Sequence, residues 1–83
     1  MAKQAFFVEV TDTFGGEANY SWVKRYLVTA TTIRGAVWKL SRETGYAWRI
    51  GYFGVVFARY AAAGVCAFVG EVCEETPRDC KVL

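Results

Sequence analysis

One stretch of this chain carries a helical period, and that limits the fold more than any other feature. Between Thr32 and Gly45, the residues Ile33, Ala36, Val37 and Leu40 recur at i, i+3, i+4 and i+7, an apolar stripe for one side of a helix. Thr31 or Thr32 can cap its first turn, and Gly45 stands where a left-handed terminal residue belongs, so a helix is expected over roughly 32 to 44. Gly35 inside it costs about 1 kcal/mol relative to alanine, a cost that points to a close approach or to neglect.

The remainder reads as strand and turn. "AFFVEVT" alternates Phe6, Val8 and Val10 against Phe7, Glu9 and Thr11, the period of a strand. "DTFGGEAN" is turn material, and "YSWVKRYLVTA" is a second strand rich in aromatic and β-branched residues. After the helix, "AWRIGYFGVVFARY", "AAAG" and "VCAFVGEVCE" read as a second hairpin with Gly64 in its turn. The expected fold is α+β, in the order ββαββ. It has a four-stranded, mainly antiparallel sheet of order 2-1-3-4 and one helix on one face. Residues 1–83 make a single domain, with 75–83 as a flexible polar tail.

One helix covers one sheet face, whereas 54% of the residues are hydrophobic. A chain of 83 residues has room for one core, and buries only about 60–65% of its unfolded surface. The second hairpin offers Phe53, Val55 and Phe57 to one side and Ile50, Tyr52 and Val56 to the other. One set is therefore left as an exposed apolar patch. A homodimer through the open sheet face, or a protein partner docked there, is the expected consequence.

Enzymatic chemistry finds little support. The chain has no histidine, which excludes Ser-His-Asp and Cys-His activation and the imidazole metal ligands. Cys66, Cys73 and Cys80 are spaced by seven, which matches no zinc pattern, and an odd number argues against a disulfide framework. Glu74-Glu75 reads as a solvated edge. "FGGEA" lacks the lysine of a phosphate loop. The two glycines of "GYFGVV" mark a bulge or close packing. No catalytic residue, cofactor or metal is expected. No segment approaches the roughly 18 apolar residues of a membrane span, and "MAKQAFFVEV" lacks the pattern of a secretory signal, so a cytosolic address without membrane contact is expected.

Binding remains, and the charge layout shows where. Residues 24–59 hold seven cations, Lys24, Arg25, Arg34, Lys39, Arg42, Arg49 and Arg59, against Glu43 alone, while both ends are mildly acidic. On the helix, Trp38 lies about 150° from the centre of the apolar stripe, with Arg34 and Arg42 one turn either side. A flat ring flanked by guanidinium groups suits a base, a phosphate or a partner surface. Lys24, Arg25, Lys39 and Arg49 extend the positive field. The alternative is structural: arginines often cover exposed tryptophans, and Trp38 can be tucked beneath Tyr20 and Trp22.

"VEVTDTFGGEANYSWVKRY" followed by "VTATTIRGAVWKLSRETG" resembles a group of small bacteriophage proteins. The similarity spans roughly residues 6–49 and rests mainly on "DTFGGEANYSWV", Asp12 to Val23. The ββαββ plan is also similar to that of several phage anti-CRISPR proteins. The resemblance implies that the turn is a contact loop, with Glu17, Asn19, Tyr20 and Trp22 as candidates. Its structural alternative is a tightly specified turn, with Asn19 bonded to the backbone and Tyr20 and Trp22 in the core. The expectation is therefore a non-enzymatic, phage-type binding protein in the host cytosol. Its partner would be a host protein or nucleoprotein complex that handles nucleic acid. The alternatives are a stand-alone nucleic-acid-binding module and a structural, oligomerising protein.

Overall fold

A computed structural model describes residues 3–15, 17–54, 57–72, 76 and 79–83. In chain order the elements are β1 (Gln4–Phe14), β2 (Glu17–Ala30), α1 (Ile33–Thr44), β3 (Arg49–Phe53), β4 (Phe57–Ala62), β5 (Val65–Glu71) and β6 (Lys81–Val82). The strands form one mixed sheet in the order β3-β4-β5-β1-β2-β6. The α+β class and, among the described residues, the single helix agree with the sequence reading. The four-stranded layout and the order 2-1-3-4 do not.

The difference starts at Gly54. The long third segment breaks there into two antiparallel strands, closed by a hydrogen bond from Gly54 N to Phe57 O at 2.9 Å. That extra reversal turns β5 antiparallel to β1, and β5 takes the central place expected for the third strand. Its residues Val65, Cys66, Ala67 and Val69 are buried. The chain end, read as a tail, adds a sixth strand instead. Lys81 and Val82 pair in parallel with Tyr26 and Leu27, and Leu83 N bonds to Leu27 O at 2.8 Å. Residues 75, 77 and 78 of that segment lie outside the described residues.

Helix α1 begins and ends where its sequence says. Thr32 Oγ1 accepts from Gly35 N at 3.0 Å, and Gly45, at φ 79°, donates its N–H to Ser41 O at 2.8 Å. A Cβ at Gly35 would stand 3.4 Å from both Ala30 Cβ and Thr32 Oγ1, an ordinary contact distance, so the packing at the start of the helix does not require glycine there. Ala36, Val37 and Leu40 are buried against Phe6, Val8, Val10, Tyr26, Val28, Ala58, Tyr60, Ala67 and Val69, with Ile33, Trp48 and Leu83 at the margin. Strand pairing places these sheet residues in common rows, such as Val28, Phe6 and Glu71, or Tyr26, Val8, Val69 and Ala58. The core is thus the helix-side face of the sheet.

Tyr60 is 5% exposed, and its hydroxyl has no hydrogen-bond partner among the described residues. A buried hydroxyl left unpaired carries its desolvation cost without return. Tyr60→Phe is expected to leave stability unchanged or raise it by up to about 1 kcal/mol. A thermal melt checks this, and a fall in melting temperature would show that the hydroxyl is engaged.

Candidate functional site

Trp38 faces water. It is 60% exposed on the outer side of α1, and the Arg42 guanidinium carbon sits 5.0 Å from its ring centroid, a cation–π contact. The helix period that buries Leu40 is the same one that turns Trp38 away. Arg34, one turn earlier, is exposed, and among the described residues neither Arg34 nor Arg42 is ion-paired. A cleft of about 330 Å³ runs beside the ring, lined by Trp38, Lys39, Arg42, Glu43 and Leu83. The C-terminal residue therefore helps to shape this surface, which the expectation of a flexible tail did not anticipate.

Other cations named from the sequence have local work. Lys39 Nζ donates to the carbonyl of Thr29 and ties the helix to β2. Arg25 Nε lies 3.3 Å from Glu9 Oε2, and its Nη1 lies 3.9 Å from Asp79 Oδ2. Its row partner on β1 is Glu9, so the pair follows from the hairpin register. Lys81, at the parallel sixth strand, pairs with Glu43 at the end of the helix, and that carboxylate holds the ammonium above its ordinary pKa. Lys24 is exposed two residues before buried Tyr26 and so belongs to the helix-side face. Arg49 is remote: β3 and β2 are four strand steps apart, about 19 Å at sheet spacing. What the fold brings together is Arg34, Trp38 and Arg42, with Lys39 and Lys24 nearby.

The "DTFGGEANYSW" stretch is neither a bare loop nor a core turn. β1 and β2 continue pairing to Thr13–Ala18 and Phe14–Glu17, and the residues 19–22 form a wide bulge opposite Asp12. The bulge frees donors that need acceptors, and Asp12 provides them. It accepts from Asn19 Nδ2 at 2.9 Å, Ser21 N at 3.0 Å and Ser21 Oγ at 2.6 Å, and from Thr11 Oγ1 at 3.2 Å. Tyr20, in the left-handed region at φ 57°, is held by its N–H on Thr11 Oγ1 at 2.9 Å. Glu17 and Asn19 are exposed at the hairpin end. Tyr20 and Trp22 are 54% and 39% exposed, so they do not enter the core, and Asn19 bonds to a carboxylate rather than to the backbone. The sequence reading gives Asp12 no role, although an acid facing "NYS" across a hairpin is a signal for such a tie.

These hydrogen bonds, those of Ser21 and Asn19 foremost, lower the Asp12 pKa to about 2. The folded value lies below the unfolded one, so this carboxylate's contribution to stability is full above about pH 4 and is lost as pH falls through about 2. The Ser21 amide resonance should titrate near that lower value. Titration near the ordinary aspartate range would show that the bulge is not tied this way.

The opposite face of the sheet carries a group that the sequence reading divides wrongly, with Tyr52 and Phe57 on opposite sides. The bulge between Ile50 and Tyr52 and the reversal at Gly54 place both in rows facing away from the helix, through Arg59 and Gly70. Their ring centroids are 5.4 Å apart, Phe57 lies 6.4 Å from Phe68, and the Arg59 guanidinium carbon lies 6.0 Å from the Phe68 ring. Ile50 and Phe53 fall on the helix side but remain 57% and 60% exposed, because β3 is the edge strand farthest from α1. Val55 and Val56 lie outside the described residues. The readable signals were the two glycines, one for a bulge and one for a turn.

Cys66 is buried in the central strand and Cys80 is half-buried; Cys73 lies outside the described residues. Among the described residues no group of three or more Cys, Asp or Glu is placed to hold a metal ion, and no helix is long and apolar enough to cross a membrane. Compared with known proteins, the chain matches no family model, no curated protein and no solved structure.

Proposed function

We propose that the chain is a small, non-enzymatic, phage-type binding protein that inhibits or modulates a host nucleic-acid-handling complex of the RNA-guided defence kind. It would act in the host cytosol by docking its helix surface on a protein subunit. One observation carries this reading: Trp38 stands in water under Arg42, with Arg34 beside it and no carboxylate paired to either guanidinium among the described residues. Tryptophan and arginine dominate the energetics of protein interfaces. An exposed, pre-stacked pair loses little side-chain freedom on binding.

Charge favours a protein partner over bare duplex at this surface. Tight duplex binders neutralise about six to ten phosphates. Here Arg25, Lys39 and Lys81 are engaged within the chain, which leaves Arg34, Arg42 and Lys24. Three cations suit an acidic patch on a subunit.

The test is expression of the chain in a bacterial host that carries an active RNA-guided defence, challenged with a phage that the defence targets. Plating efficiency is expected to rise by at least an order of magnitude over an empty vector. Unchanged plating against every defence type tested would overturn the reading.

A further inference from the structure

Residues 24–59 hold one carboxylate, Glu43, and the fold sets it in the cleft beside Trp38 and Arg42. Bare, it would repel an acidic partner, because like charges brought together at an interface are costly. β6 deals with that charge. Strands usually run three to ten residues, and this one has two, yet each residue it turns toward α1 ends at the helix surface. Lys81 stands in the row of Tyr26, which is buried on the helix side of the sheet, so its ammonium reaches α1 and pairs with the Glu43 carboxylate. Val82, in the row of Leu27, points the other way and is 73% exposed. Leu83 returns to the helix side. Its N–H bonds to Leu27 O at 2.8 Å, its side chain packs at the margin of the core, and it lines the cleft with Trp38.

We propose that β6 is part of the binding site, with Lys81 and Leu83 as positioning residues that ready the helix surface for an acidic segment of its protein partner. This rests on the reading of that surface as the docking site. Lys81 neutralises Glu43, so the charge offered to the partner is that of Arg34 and Arg42. Leu83 supplies an apolar wall for the partner side chain that packs beside Trp38, and such a wall keeps water from the anchoring contact. β6 can be disturbed without unfolding the core. It is a two-residue strand at the sheet edge, its ion pair lies at the surface, where such pairs add little stability, and elements of this kind open locally.

The experiment pairs the plating assay with thermal melts of each variant of the full chain. Lys81→Gln removes the ammonium and leaves the Glu43 carboxylate bare in the cleft. It is expected to lower the plating efficiency of the targeted phage by about tenfold or more, while the melting temperature stays within about 4 °C of the parent. Lys81→Gln/Glu43→Gln, which removes the carboxylate as well, is expected to recover most of the protection. Leu83→Ala should lower plating efficiency by about fivefold or more. Four results would overturn the proposal, and they tell its failure from that of the docking reading. A parent chain that protects against no defence type strikes both. A protective parent whose Lys81→Gln and Leu83→Ala variants protect equally well strikes the proposal alone. A double variant as weak as Lys81→Gln would make Lys81 a direct contact of the partner. Loss of protection that follows a fall in melting temperature would leave β6 a structural edge only.

Discussion

Leu40→Ala is expected to lower the melting temperature by at least about 10 °C. Leu40 is fully buried at the centre of the helix stripe and packs into the cluster with Phe6, Val8, Val28 and Val69. Truncating such a leucine costs about 2–5 kcal/mol through lost transfer energy and the cavity left behind. In a domain this size each kcal/mol moves the midpoint by about 4–8 °C. The whole domain has only about 5–15 kcal/mol of stability, and α1 is the sole helix among the described residues, which show nothing else to cover that face. A thermal melt by circular dichroism measures it. A change of less than about 3 °C would mean that α1 is not seated as described.

Trp38→Ala should separate function from stability on the same helix. Two residues from Leu40, its ring is 60% exposed and touches Arg42 rather than the core. Surface changes of this kind stay within about 0.5 kcal/mol, and alanine is the better helix former. Its melting temperature should therefore stay within about 4 °C of the parent. At an interface, by contrast, truncating an anchoring tryptophan costs about 2–4 kcal/mol, roughly 30- to 1,000-fold in affinity. Protection of phage in the defended host should drop accordingly. A variant that is folded and fully protective would remove Trp38 from the account.

How much of this was legible depends on the range of the interactions involved. α1 was readable to its caps, because Thr32, Gly45 and the period of Ile33, Ala36, Val37 and Leu40 are local signals that tertiary packing had no cause to override. The same period placed Trp38 outside. The two strands of the β1–β2 hairpin are legible in the sequence, but their register, which sets Arg25 opposite Glu9, is fixed only by the folded pairing. Sequence alone counts Arg25 and Lys39 as available cations because their partners, Glu9 and the Thr29 carbonyl, become neighbours only on folding.

The second half was harder. "AWRIGYFGVVFARY" is apolar nearly throughout, so no period marks where it turns, and a bulge at Gly51 reverses the faces on either side of it. Strand order followed that error, since one missed reversal changes which strand can lie antiparallel to β1. The two-residue β6 has no local signal. It depends on the ion pair of Lys81 with Glu43 and on three hydrogen-bonding residues of the chain end beside β2. At the hairpin bulge, Tyr20 adopts a backbone conformation that a bulky side chain rarely takes, and only the long-range tie to Asp12 and Thr11 explains it.

The helix surface is the claim on which the functional account stands, and the Arg34→Ala/Arg42→Ala double variant tests it most directly. Neither guanidinium takes part in an ion pair among the described residues, so the variant should fold and melt as the parent does. Scored by plating efficiency of a targeted phage in the defended host, it should fall to the level of the empty vector. Protection equal to that of the parent chain would contradict the account.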